Sequence, residues 1–182
     1  MKANSISFII SIVLFFACSP ESSNTDNVTQ DAAFTALEQV EEEIFNYSVG
    51  SNKNKLAKKG KALLISSKDY ISSHAGDPTL ERAYEMAALG AEVSGAYNDA
   101  INYLYLAQRN FPKSKKAPIY LFNRARILDD ILLKKRESEL AYRELIELYP
   151  DDSLSLSMKR YLQSDLMNKS EQELLEFFNS KK

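Results

Sequence analysis

Two segments of the chain decide its fold. They are Ala100-Ile101-Asn102-Tyr103-Leu104-Tyr105-Leu106-Ala107-Gln108-Arg109-Asn110-Phe111-Pro112 and Ser138-Glu139-Leu140-Ala141-Tyr142-Arg143-Glu144-Leu145-Ile146-Glu147-Leu148-Tyr149-Pro150. Each is amphipathic at helical spacing and closes with an aromatic residue and a proline, and the two prolines stand 38 positions apart. Self-similarity at a period of this kind is the mark of stacked helical hairpins. The chain is therefore expected to be all-α, an α-solenoid of antiparallel hairpins with about eight helices. Stacked hairpins build a surface rather than a reaction centre, which points towards binding.

The remaining helices are legible from apolar spacing. Phe34, Leu37, Val40, Ile44 and Phe45 predict a helix over 31–46, and Leu56, Leu63, Leu64, Tyr70 and Ile71 predict another over 53–73. Gly60 and Ala62, midway along the second, invite the close approach of a neighbour. Asp77 and Pro78 open a third helix, which carries Leu80, Tyr84, Ala87, Ala88 and Ala91 and stops at Gly95. A fourth is expected over 98–110, a fifth over 118–131 and a sixth over 136–148. Asp151 or Asp152 caps a seventh with Leu154, Met158, Tyr161 and Leu162. Ser170-Glu171-Gln172-Glu173 reads as a capping box before a short helix with Leu174, Leu175, Phe177 and Phe178. The last pair is expected to cover the apolar end of the stack. No alternating β-branched run and no Asn-Gly turn argues for a strand.

The unit at about 78–112 resembles a tetratricopeptide repeat. Counting back from Pro112, Ala107, Leu104 and Ala100 fall where that family places Ala, a large apolar residue and Ala. Gly95 and Tyr97 fall on its Gly-x-Tyr turn, and Ala88 and Tyr84 take the small and aromatic positions of the first helix. Small residues let two antiparallel helices approach closely, and large neighbours fill the remaining space. The unit at about 116–150 is a looser match. Ala125 and Tyr142 fit, while Ser138 and Leu145 replace the two alanines, and the turn Leu133-Lys134-Lys135-Arg136-Glu137 is one residue longer and lacks the Gly. The linker Phe111-Pro112-Lys113-Ser114-Lys115-Lys116-Ala117-Pro118 is similar to those of periplasmic tetratricopeptide proteins, such as the outer-membrane assembly lipoprotein and the Tol-Pal accessory protein. The resemblance covers 77–161, about half the chain; a plain helical bundle is the alternative.

In that family the first helix of each hairpin lines the concave groove. The resemblance thus implies a partner-binding groove of Arg82, Glu85, Leu89 and Glu92 from the first unit, with Ile119, Phe122, Asn123, Arg126 and Asp129 from the second. Mixed charge with an exposed Phe and Ile suits an extended peptide or a partner helix. Tyr84, Tyr97, Tyr142 and Tyr161 fall at hairpin-packing positions and are expected in the core.

Residues 1–17 read as a secretory signal. They run Met1-Lys2-Ala3-Asn4, an apolar core from Ile6 to Phe16, and Ala17 before Cys18-Ser19. The core falls short of the roughly 20 apolar residues a spanning helix needs. Cys18 is the only cysteine, and its setting resembles a bacterial lipoprotein signal, in which the Cys becomes the acylated first residue. An ordinary cleaved signal with an incidental Cys and an uncleaved anchor are the alternatives. Residues 18–30 are polar and expected to form a flexible tether, and 31–182 the helical domain. The expected location is the bacterial cell envelope, lipid-anchored, with Ser19 favouring the outer membrane facing the periplasm.

Charge and composition narrow the function classes. Cleavage before Cys18 removes Lys2 and leaves 22 Lys and Arg against 25 Asp and Glu, a net charge of −3 where the full chain has −2. A nucleic-acid binder usually carries a strong basic bias, so no nucleic-acid partner is expected. One Cys forms no intramolecular disulfide, and with Cys18 acylated the mature chain has no free thiol, so with His74 as the only His no Cys–His pair or His-based metal site is expected. No catalytic residue, metal, cofactor or small-molecule substrate is expected. Glu41-Glu42-Glu43 project in three directions round a helix and read as a solvated face. Asp129-Asp130 and Asp151-Asp152 read equally as turn and cap residues, and no phosphate loop or Ser nucleophile motif occurs. Lys53, Lys55, Lys58, Lys59 and Lys61 give the second helix a basic face, either simply solvated or meeting anionic headgroups or an acidic partner. The expected function is a membrane-anchored protein-interaction scaffold for envelope assembly or maintenance, whose partner is another envelope protein or peptide. A chaperone-like or substrate-recruiting adaptor, and an enzyme, are the alternatives.

Overall fold

The computed structural model describes residues 25–47, 52–164, 169 and 171–180 of the 182-residue chain. The fold is all-α, and no strand occurs among the described residues. The helices are α1 (Thr25–Phe45), α2 (Lys53–Ser73), α3 (Leu80–Ser94), α4 (Tyr97–Asn110), α5 (Ala117–Arg126), α6 (Lys135–Leu148), α7 (Ser153–Gln163) and α8 (Glu171–Asn179). A π-helical turn, Ile127–Ile131, continues α5. Cys18 and the signal lie outside the described residues, as does Ser170 of the expected capping box.

From α2 to α6, counting the π-turn with α5, the ends fall within two residues of those expected. The first helix differs: it begins at Thr25, so residues 25–30 are helix rather than tether. No Gly or Pro interrupts 21–49, and once a helix is nucleated each added residue gains a backbone hydrogen bond at little further cost.

Helices α1 and α2, α3 and α4, and α5 and α6 pack as antiparallel pairs. The Phe34 ring meets Tyr70 at 5.5 Å, while Glu43 near the end of α1 pairs with Lys59 near the start of α2. In the next pair Tyr84 meets Phe111 edge-on at 6.2 Å, joining the start of α3 to the end of α4. In the third pair Phe122 of α5 meets Tyr142 midway along α6, while Asp129, further along, pairs with Lys135 at the start of α6. Gly95 makes the reversal between α3 and α4 possible. Its φ of 81° is left-handed, its N–H donates to Glu92, and the Ala96 N–H donates to Ala91 at 2.8 Å. This double bond to the last turn is the Schellman stop that glycine adopts without a Cβ penalty.

The second unit ends its first helix differently. The Leu132 N–H donates to Ile127, five residues back, and the Lys134 N–H to Leu128 at 2.7 Å. Leu133 takes the left-handed position, at φ 54°, that Gly95 holds in the first unit. The extra residue of this turn is thus absorbed as a single π-turn at the end of α5.

Small residues sit where helices touch. Ala88, Ala91, Ala100, Leu104, Ala107, Tyr120 and Ile127 form one buried cluster, and Ala125, Leu128, Ala141 and Tyr142 another. Gly60 is buried at the crossing of α2 with α3, but Ala62 is exposed and takes no part in it. Ser138 is buried in place of the first alanine, its hydroxyl satisfied by the Lys135 carbonyl at 2.9 Å. A second set of bonds joins alternate helices: Arg82 to Glu41 (α3 to α1), Tyr120 to Glu81 (α5 to α3) and Tyr161 to Asp129 (α7 to the π-turn). Tyr149, ending α6, donates to the Pro112 carbonyl after α4 at 2.9 Å. Asp152 is the residue that caps α7, accepting from the Leu154 N–H at 2.8 Å.

Candidate functional site

Helices α1, α3 and α5 lie in a row, and a cavity of about 320 Å³ opens between them. Its wall combines Arg82, Glu85, Leu89 and Glu92 of α3 with Ile119, Tyr120 and Asn123 of α5 and Glu41 and Phe45 of α1; Lys116 stands at the α5 end. On α3 the polar and apolar wall residues recur three or four apart, which places them on one stripe of the helix.

The charged groups of the wall form a chain of contacts. The Glu41 carboxylate is buried and takes Arg82, which also reaches Glu85 at 3.0 Å. Glu85 in turn accepts from Lys116 at 2.8 Å and from the Tyr120 hydroxyl at 2.5 Å, and Tyr120 also donates to Glu81 at 2.7 Å. At the far end Glu92 holds Arg126 at 2.7 Å. Burial pushes the Tyr120 phenol far above the ordinary tyrosine range, and its bonds to Glu85 and Glu81 add to this. The hydroxyl is therefore a donor, not a base. Between the charges lie apolar surfaces: Phe45 is 69% exposed and Ile119 45% exposed, with Leu89 half-buried beside them.

Of the nine groove residues read from the sequence, the structure brings Arg82, Glu85, Leu89, Glu92, Ile119 and Asn123 into this wall. Arg126 adjoins it through Glu92. Phe122 does not face it. Its ring is half-buried against Tyr142, 6.2 Å away, because one position on from Leu121 turns it towards α6 and α7. Asp129 is not in the groove either. The π-turn buries it, where it pairs with Lys135 at 2.5 Å and accepts from Tyr161 at 3.2 Å. Six lining residues were not read as groove: Ala88 and Leu104, which the sequence placed at packing positions, and Glu41, Phe45, Lys116 and Tyr120. Glu41 and Phe45 stand four apart on α1, so counting the first hairpin as a unit with its own inner face would have found them. Of the three consecutive glutamates only Glu42 and Glu43 are solvated.

His74 stacks on Tyr70 at 4.0 Å, and its Nδ1 lies 2.9 Å from the Ser73 hydroxyl. No group of three or more His, Cys, Asp or Glu is arranged to hold a metal among the described residues. No helix among them is long and apolar enough to cross a membrane. No family model matches the chain, and neither a curated protein nor a solved structure matches it.

Proposed function

We propose that this protein is a tetratricopeptide-like interaction scaffold, anchored to a membrane of the bacterial cell envelope through acylated Cys18. Its α1–α3–α5 groove binds a segment of another envelope protein. The observation that carries the reading is the groove wall itself: exposed Phe45 and Ile119 beside Leu89, rimmed by the pairs Arg82–Glu41 and Arg126–Glu92. An apolar strip between charged rims receives the apolar side chains of a bound peptide or helix while the rim sets its register. The repeating row of helices supports a stacked-hairpin arrangement, and the assembly or maintenance role follows from the family resemblance.

The test is crosslinking capture from intact envelopes, followed by affinity measurement on the partner recovered. Ile119→Ala and Leu89→Ala should each weaken binding by about 1–3 kcal/mol, as central apolar contacts do. Thermal melting of Ile119→Ala should be nearly unchanged, since the residue is exposed. Phe122→Ala should instead lower stability through its lost packing on Tyr142. Undiminished binding by folded Ile119→Ala and Leu89→Ala proteins rules the groove out.

A further inference from the structure

We infer that the outer face of α2 is a docking surface for an anionic lipid bilayer. This goes beyond the groove and does not depend on it. Helix α2 holds six lysines and one aspartate, a net charge of +5 in a chain whose total is −2, so the rest of the protein carries −7. The basic charge is concentrated in one helix and, within it, on one side.

The buried face of α2 is Gly60, Leu63, Ser67 and Tyr70. Opposite it, Lys58, Lys61, Ile65 and Lys68 recur at spacings of three and four, so they form a single straight stripe about 15 Å long. All four are exposed, and Ile65 is 50% exposed in the middle of the cations. On α1, Glu43 is engaged by Lys59 and attracts Lys55. Asp69 flanks the stripe, and Lys58, Lys61 and Lys68 make no ion pair among the described residues.

The shape of this face selects the occupant. The stripe is the convex side of a single helix, whereas protein partners are held by buried central anchors. A planar layer of phosphates needs no pocket. Lysine stems lie along the surface with their ammonium groups on the headgroups, and Ile65 enters the boundary between them. Each lysine near an anionic surface contributes about a fivefold gain in partitioning.

The experiment is co-sedimentation of the full chain with vesicles of phosphatidylcholine alone, and of phosphatidylcholine and phosphatidylglycerol in equal parts. The full chain should favour the anionic vesicles, and the preference should fall as salt is added. The triple change Lys58→Gln, Lys61→Gln and Lys68→Gln should reduce partitioning to anionic vesicles roughly a hundredfold and leave neutral vesicles unaffected. The triple change Lys113→Gln, Lys115→Gln and Arg136→Gln removes the same charge from exposed positions away from α2 and should leave the preference in place. Any contribution of an acyl anchor adds equally to both vesicle types, so its absence would be read on neutral vesicles alone. Equal partitioning to both vesicle types overturns the proposal, whether or not an acidic protein binds the face. Equal losses from the two triple variants also overturn it.

Discussion

Gly60 and Gly90 meet backbone to backbone where α2 crosses α3. A Cβ on Gly60 would lie 2.9 Å from the Gly90 carbonyl oxygen and 2.8 Å from Val93 Cγ1. A Cβ on Gly90 would lie 2.6 Å from the Gly60 carbonyl oxygen and from the Leu64 nitrogen. Real Cβ atoms do not approach this closely, so the absence of both side chains sets the separation of the two helices. The crossing locks the first hairpin onto the second, holding Glu41 within reach of Arg82 and aiming the lysines of α2 outward.

Gly90→Ala should destabilise the protein by about 1–3 kcal/mol, because its new methyl meets α2 backbone at Gly60 and Leu64 and the helices must separate. Gly60→Ala should cost less, since its backbone contacts would be 2.9 Å rather than 2.6 Å and its nearest neighbour, the Val93 side chain, can shift; the gain of about 1 kcal/mol in helix propensity is common to both variants. Urea unfolding of the two variants measures the difference. Ala62→Leu, on the exposed side, serves as the near-neutral comparison. Wild-type stability in Gly90→Ala would mean that the helices are not in contact there.

Leu133 holds a left-handed backbone conformation at φ 54° with its side chain 71% exposed, so it bears the strain without packing in return. Leu133→Gly should stabilise the fold by about 0.5–1 kcal/mol, the strain relieved exceeding the entropy added to the unfolded chain. A raised midpoint in the same urea titration checks it, and a lowered midpoint refutes it.

Stability should fall at alkaline pH. Burial raises the phenols of Tyr120, Tyr142 and Tyr161 above the ordinary tyrosine value, with Glu85 and Glu81 adding to the first and Asp129 to the others. A folded-state value above the unfolded one means that the contribution is complete below about pH 10 and lost as pH rises beyond it. Melting temperature should therefore drop steeply above that point. Tyr120→Phe, which removes the most strongly shifted phenol, should flatten the drop; an unaltered slope would show that other groups drive it.

On the proposed lipid anchoring, Cys18→Ser should release the protein from the membrane fraction or leave the precursor uncleaved, because acylation and processing would both act at that thiol. Mass spectrometry of the fractionated protein reads both outcomes. A mature form still held in the membrane after Cys18→Ser would remove the lipid anchor from the proposed function.

Periodicity in the chain determined which residues are helical and which face of each helix is apolar. The alanines at 88, 100 and 107, and the stop at Gly95, are local signals, and each acts within its own turn or crossing. The stripe of Arg82, Glu85, Leu89 and Glu92 came from the tetratricopeptide resemblance, and helical spacing adds only that those residues share one side of α3. Tertiary structure decided what that side meets. Glu41 is a buried ion-pair partner only because α1 lies against α3, and it is 41 positions from Arg82. Phe122 turned to Tyr142 and Asp129 went inward because the angle of α5, and the π-turn that absorbs one extra residue, are set by packing against α6 and α7. Short-range spacing specifies direction around a helix axis. The neighbour found in that direction depends on contacts between segments far apart in the chain, which no local pattern encodes.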